Sequence, residues 1–149
     1  MFTTRPELIG TFGVAASTHW IASGVPMSVL ERGGNAFDAA VAAGFTLQIV
    51  EPHLNGPGGE VPILFAKAGE DKATVLCGQG VAPQAATIKH FQGLDLPLVP
   101  GTGLLAAVVP GAFDAWMLLL RDHGTWPLAD VLAPAIYYAE QGQPLLPTT

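Results

Sequence analysis

Four histidines are the side chains of this chain best suited to metal binding or acid–base chemistry. They are His19, His53, His90 and His123. No acidic residue or cysteine stands at a metal-ligand spacing from them and no HExxH pattern occurs, so the sequence predicts no metal site. His53 lies in Glu51-Pro52-His53, just after an apolar segment, where we expect a loop or helix-end hydrogen bond rather than catalysis.

A glycine-rich loop at residues 55–59, Asn-Gly-Pro-Gly-Gly, exposes backbone N–H groups that could bind a phosphate. The loop lacks the lysine and hydroxyl residue of a P-loop, and a helix rather than a strand is expected before it. Close backbone packing is therefore the favoured explanation of its glycines.

Nucleophilic catalysis finds no complete residue set in this chain. No serine lies in a Gly-x-Ser-x-Gly pattern. Cys77 is the only cysteine, which excludes an internal disulfide, and we expect it to be a buried, inert thiol. Asp38 and Glu51 would form a carboxylate pair only if the fold brought them together. The chain alone therefore offers no catalytic residue, and it implies no cofactor.

The composition predicts a chain that is covered by further polypeptide or by a partner. Only 12% of the 149 residues are charged, about half the usual share in soluble domains. The net charge of −6 and the absence of a basic cluster argue against nucleic acid as a partner.

A membrane span is not expected, although residues 8–30 carry no charge, because glycines, a proline and hydroxyl residues interrupt them. The first residues also lack the pattern of a secretory signal. We therefore expect a cytoplasmic protein, with the periplasm as the alternative.

A helix of small residues is the clearest single element, expected from Asn35 to about Val50. Asn35 is a suitable N-cap, and Asp38 favours the positive end of the helix dipole. Gly33 and Gly34 can end the preceding helix with φ > 0. Because alanines dominate this helix, we expect it to be buried between layers.

The other segments predict a layered α+β fold with an antiparallel hairpin. Two apolar stretches flank Ala-Gly-Glu-Asp, a favourable hairpin connection, and Ser23 is a plausible N-cap. The expected elements are a β segment at 11–17, helices at 23–32, from 83 or 84, at 111–122 and at 127–141, strands at 61–68 and 72–77, and an apolar strand or extended piece at 105–109.

These motifs, in this order, resemble the γ-glutamyltranspeptidase family over nearly the whole chain. They are the approach from Ala16-Ser17 to Ser23, LERGGNAFDAAVAA at 30–43, VEPH at 50–53, GPGG at 56–59, AP with AAT at 82–87, VPG at 109–111, and PL, LAPAI and AEQG between 127 and 142.

The resemblance implies an N-terminal-nucleophile hydrolase with an αββα sandwich, of which this chain supplies only part. Residues 1–149 would be the N-terminal portion of the large subunit, without an internal boundary. The nucleophile would be a threonine that precursor cleavage frees at the start of the small subunit. That threonine attacks a γ-glutamyl amide and passes the acyl group to water or an amino acid. The implied partners are the rest of the large subunit, the small subunit and a small amide substrate.

One substrate-binding residue is implied within this chain, and it departs from the family pattern. The family places a carboxylate-binding arginine, followed by glutamate, after the second strand, where this chain has Gln79 and Gly80. The family's run of four glycines also ends here in Glu60. A neutral amide binds a carboxylate less strongly than a guanidinium does. An oxamate-type amidohydrolase, a β-lactam acylase and a non-catalytic paralogue or structural subunit are therefore the alternatives.

Overall fold

The computed structural model describes residues 6–145, which form α-helices and one antiparallel hairpin. The helices are α1 (Trp20–Glu31), α2 (Ala36–Val50), α3 (Ile88–Gln92), α4 (Ala112–His123) and α5 (Leu128–Gln141), with a 3-10 turn at Leu104–Ala106, and the strands are β1 (Val61–Phe65) and β2 (Thr74–Gly78). The chain divides into two compact units. The helical unit comprises the described residues up to Asn55 and from Leu119 onward, and the hairpin unit comprises 56–118.

The small-residue helix α2 begins and ends as its sequence predicts. The Asn35 side chain accepts hydrogen bonds from the backbone N–H groups of Phe37 and Asp38, both at 2.9 Å, and the Asp38 carboxylate accepts one from Asn35 N at 2.9 Å. This reciprocal arrangement is a capping box. Gly33 ends α1 with a φ of 89°, as predicted, whereas Gly34 does not have a positive φ.

Burial along α2 follows its small side chains, which allow close packing against α1 and α5. The α2 residues Val41 and Ala42 are fully buried. Around them the core of the helical unit also contains Ala22, Val29, Val50, Leu119 and Val131. The prediction of a buried helix is therefore confirmed.

The start of α1 differs from the prediction. The helix begins at Trp20, because the ring nitrogen Nδ1 of His19 accepts from Ile21 N at 3.2 Å and caps it. Ser23 therefore lies inside the helix rather than at its cap. Pro26, expected in the first turn, lies in the helix interior. Residues 11–17 are irregular, since no strand within the described part of the chain pairs with them.

The hairpin forms as predicted, with shorter strands. Val61 pairs with Gly78 at one end of the ladder and Phe65 pairs with Thr74 at the other. Gly69 has a φ of 80° in the connection, a conformation that favours glycine.

Two further expectations in the hairpin unit need correction. No helix begins near residue 83, because the segment forms a turn and Thr87 caps α3 by accepting from His90 N at 3.2 Å. The first part of 105–109 belongs to the 3-10 turn rather than to a strand. By contrast, α4 and α5 each begin within one residue of the predicted start.

Apolar side chains remain exposed on both units. In the hairpin unit Leu104 is 95% exposed and Ile88 is 79% exposed, and in the helical unit Ile9 is 84% exposed and Trp20 is 68% exposed. Such exposure fits a partial α+β domain. Among the described residues, no helix has the length and apolarity needed to span a bilayer.

Candidate functional site

Gln79 lies immediately after β2, at the end of the hairpin where β1 begins. Because the strands are antiparallel and Val61 pairs with Gly78, the residues before Val61 lie next to the residues after Gly78. The Gln79 side chain is exposed. This position leaves its amide accessible from solvent.

The backbone around Gln79 is held by an unusually close approach of another segment. A Cβ atom on Gly80 would overlap the carbonyl oxygen of Val109, and a Cβ on Gly111 would lie 3.0 Å from the Gln79 carbonyl carbon. Val109 N also donates to Val81 O at 3.0 Å. Only glycine at positions 80 and 111 permits this close approach, so these two residues hold the backbone of Gln79 in position.

The glycine-rich loop is hydrogen-bonded to the start of α4, where Gly111 lies against the Gln79 backbone. Gly59 O accepts from Gly111 N at 3.3 Å and from Ala112 N at 3.1 Å, which satisfies two N–H groups at the start of α4. Gly59 N donates to Gly56 O at 3.1 Å, closing a turn over 56–59.

The prediction of close packing holds for one glycine of this turn and is wrong for two. A Cβ on Gly59 would lie 3.3 Å from Gly56 O, which is a tight contact. A Cβ on Gly56 or Gly58 would meet nothing within 4 Å. The side of the turn that carries Gly56 and Gly58 is open.

Cys77 is exposed, which corrects the expectation of a buried thiol. Alternation along β2 explains the exposure, because Leu76 and Gly78 face the covered side of the strand. Its Sγ is 3.8 Å from Gln79 Oε1, a weak hydrogen bond in which the thiol donates. With Oε1 engaged in this way, Gln79 offers its Nε2 as a donor to an incoming group.

Asp38 has a structural role at the start of α2. Its buried carboxylate accepts from Thr125 N at 2.8 Å, Thr125 Oγ1 at 2.7 Å and Trp126 N at 3.1 Å, in addition to Asn35 N. Burial raises the Asp38 pKa, but the hydrogen bonds from Thr125, Asn35 and Trp126 outweigh it and hold the pKa below its ordinary value. Asn35 Nδ2 donates to His123 O at 2.7 Å, which ties α2 to the end of α4.

Glu51 does not join Asp38, because the two residues stand at opposite ends of α2. The Glu51 carboxylate instead accepts a hydrogen bond from the Thr18 hydroxyl. Sequence reasoning missed this contact and the capping role of His19. The run Ser17-Thr18-His19, polar residues directly before an apolar helix, was the available signal.

The four histidines occupy separate environments. His19 caps α1, His53 is exposed after α2, His90 packs edge-on against Phe91, and His123 contacts Phe37 with ring centroids 4.9 Å apart. Across residues 6–145, no three His, Cys, Asp or Glu side chains are grouped so that they could hold a metal ion.

Sequence comparison links the chain to proteins that are synthesised as proenzymes. The family profile described as Gamma-glutamyltranspeptidase matches residues 22–149. The glutathione hydrolase-like YwrD proenzyme of Bacillus subtilis is 37% identical over 93% of this chain and 26% of its own length. The oxamate amidohydrolase proenzyme of Klebsiella pneumoniae is 34% identical over 92% of this chain and 26% of its own length. An acylase proenzyme of a Pseudomonas species is 35% identical over 89% and 25%.

Solved structures give the same relationship. A structure described as LmbA2991HD is 69% identical with a TM-score of 0.92, and the match covers 98% of this chain and 25% of that one. The γ-glutamyltranspeptidase of Helicobacter pylori is 38% identical with a TM-score of 0.83, over 93% of this chain and 40% of that one. The chain spans about a quarter of the length of the curated relatives it matches.

Proposed function

Because this chain belongs to the γ-glutamyltranspeptidase family, we propose that it forms the N-terminal part of the large subunit of an amide-cleaving enzyme. A threonine outside this chain attacks the amide carbonyl, the C–N bond breaks, and the amine leaves with a proton. The acyl group then passes from the threonine oxygen to water or to an amino acid. The match over residues 22–149 supports this proposal, as do relatives named as proenzymes.

The role of this chain in that reaction is to bind the substrate through Gln79. The observation that carries this role is the exposed amide of Gln79 on a backbone that glycines hold in place. Positioning of this kind contributes to catalysis when the bound group is held close to its reacting geometry.

A second candidate, hydrolysis of a different small amide, is favoured by the same residue. Hydrogen bonds to a charged group contribute about 1.5–3 kcal/mol and those between neutral groups about 0.5–1.5 kcal/mol. Gln79 therefore favours a γ-glutamyl carboxylate less than an arginine would. The relatives named oxamate amidohydrolase and acylase fit this alternative.

The proposed partners are the remaining large-subunit polypeptide and the small subunit of the same precursor. In the αββα sandwich, β1 and β2 would join further strands, and the exposed side chains of Leu104, Ile88 and Leu98 would be covered. No nucleic acid, membrane or cofactor is required by this proposal.

Mass spectrometry of the full-length gene product tests the proposed function. We expect cleavage ahead of a threonine and, with an amide substrate, a mass increase on that threonine equal to the acyl group. Replacement of the threonine by alanine is the control and should abolish both signals. A product that neither cleaves itself nor becomes acylated would instead support a non-catalytic paralogue.

A panel of amides separates the two candidates. The proposed γ-glutamyl activity gives the highest kcat/KM with a γ-glutamyl nitroanilide. The alternative gives its highest kcat/KM with a short amide that lacks the α-amino acid group.

A further inference from the structure

The strand register places Glu60 and Gln79 at facing positions just beyond the hairpin ladder, although 18 residues separate them in the sequence. The pair Val61 and Gly78 ends the ladder, so the next position outward on each strand is Glu60 on one and Gln79 on the other. Residues directly opposite in an antiparallel pair project to the same face, with Cβ atoms about 4.5–5.5 Å apart.

The contacts on either side of Glu60 keep this arrangement in place. Gly59, just before Glu60, accepts both N–H groups from the start of α4. Gly111, at that start, lies against the Gln79 backbone. The backbone on both sides of this end of the hairpin is therefore held against the start of α4.

Both residues also depart from the pattern that the family resemblance implies. Gln79 replaces a cation, and Glu60 introduces an anion where a glycine is expected. Glu60 is exposed, and no ion pair involving it occurs among residues 6–145. Both changes make this end of the hairpin more negative, because Gln79 removes a positive charge and Glu60 adds a negative one.

We propose that Glu60 acts with Gln79 to select amide substrates whose acyl part ends in a positively charged or hydrogen-bond-donating group, and to disfavour a terminal carboxylate. The inference rests on the proposed function, in the form of its second candidate, an amide other than a γ-glutamyl amide, since it concerns the substrate of that same site. The Glu60 carboxylate attracts an ammonium group and repels a second carboxylate, while Gln79 carries no charge and supplies only a neutral hydrogen bond. An acyl group carrying an ammonium is thus the preferred substrate.

Three nitroanilides of similar acyl length test this selection in the full-length processed enzyme. They are the ω-aminopentanoyl, pentanoyl and glutaryl compounds, whose acyl ends are positive, neutral and negative. We expect kcat/KM to fall in that order. The Coulomb energy between two unit charges about 6 Å apart corresponds to about a threefold difference in kcat/KM at an effective dielectric constant of about 80. At an effective dielectric constant of about 20 it corresponds to about a hundredfold difference.

Relative to the pentanoyl compound, Glu60→Gln should lower kcat/KM for the ω-aminopentanoyl compound and raise it for the glutaryl compound. High salt should reduce the wild-type preference for the ω-aminopentanoyl over the glutaryl compound, because it screens the charge of Glu60. Glu70→Gln is the matched control, because Glu70 is an exposed glutamate at the opposite end of the same hairpin. This control should change none of the three values.

Equal effects of Glu60→Gln on all three compounds would overturn the inference. An enzyme that processes itself and cleaves the three compounds alike would also overturn it, while leaving the proposed function intact. A protein that neither processes itself nor cleaves any of them would overturn both.

Discussion

Replacement of Asp38 by alanine should destabilise the start of α2 more than any other removal of a carboxylate in the helical unit. The carboxylate is fully buried and accepts four hydrogen bonds, from Asn35 N, Thr125 N, Thr125 Oγ1 and Trp126 N. These bonds join the first turn of α2 to the segment between α4 and α5. Alanine removes all four acceptor contacts without a replacement.

The cost follows from the donors that are left behind. Thr125 is exposed, so its hydroxyl can bond to water. The three backbone N–H groups each lose a bond worth about 1 kcal/mol or more. We therefore expect a loss of about 3 kcal/mol, which corresponds to a change of roughly 150-fold in an opening equilibrium.

Hydrogen exchange in the full-length protein measures this loss directly. The amides in the first two turns of α2 should exchange about a hundredfold faster in Asp38→Ala than in the wild type. Asp130→Ala is the control, because Asp130 lies in the first turn of α5 but is exposed, and it should change exchange only slightly.

The effect of Asp38 should also depend on pH. The Asp38 pKa is lower in the folded state than its ordinary value, so its stabilising contribution is present above the ordinary pKa and is lost as the pH falls through the folded one. The protection of the wild-type α2 amides against exchange should therefore decrease when the pH is lowered below about 4. Unchanged exchange in Asp38→Ala at neutral pH would refute the assigned hydrogen-bond network.

Three further substitutions test the packing around the two units. Gly80→Ala should prevent the approach of Val109 and therefore lower both Tm and activity. Gly58→Ala should leave Tm unchanged or raise stability by about 0.4–1 kcal/mol, because a Cβ at position 58 meets nothing within 4 Å. Thermal unfolding of the two variants side by side checks this contrast, and equal loss of Tm would contradict it. Asn35→Ala should lower the free energy of unfolding by about 1–2 kcal/mol, because it removes the α2 cap and the bond to His123 O. Chemical denaturation measures this loss, and an unchanged midpoint would argue against the capping role of Asn35.

Local signals explain which elements could be predicted from the sequence. The start of α2 depends on Asn35 and Asp38, which act within one turn, and the hairpin depends on its short polar connection. The start of α1 was missed because Ser23 is a typical cap, whereas the cap that forms is a histidine ring nitrogen. The cytoplasmic location remains a prediction.

Long-range contacts explain what could not be predicted. The neighbourhood of Glu60 and Gln79 depends on the strand register, and a shift by one residue would separate them. The close approach of Gly111 to the Gln79 backbone depends on where α4 begins in space. The open side of Gly58 likewise follows from the anchoring of the turn rather than from its composition.

The central claim, that Gln79 contacts the substrate where the family's arginine is expected, is tested most directly by Gln79→Arg. The ratio of kcat/KM for a γ-glutamyl nitroanilide to that for a pentanoyl nitroanilide should be measured in the wild type and the variant. We predict that the ratio rises about tenfold, because a charge-assisted bond to the substrate carboxylate replaces a neutral one and the difference is about 1.4 kcal/mol. An unchanged ratio in this variant and also in Glu60→Gln combined with Gln79→Arg, where residue 79 cannot pair with Glu60, would contradict the claim if both variants still process themselves.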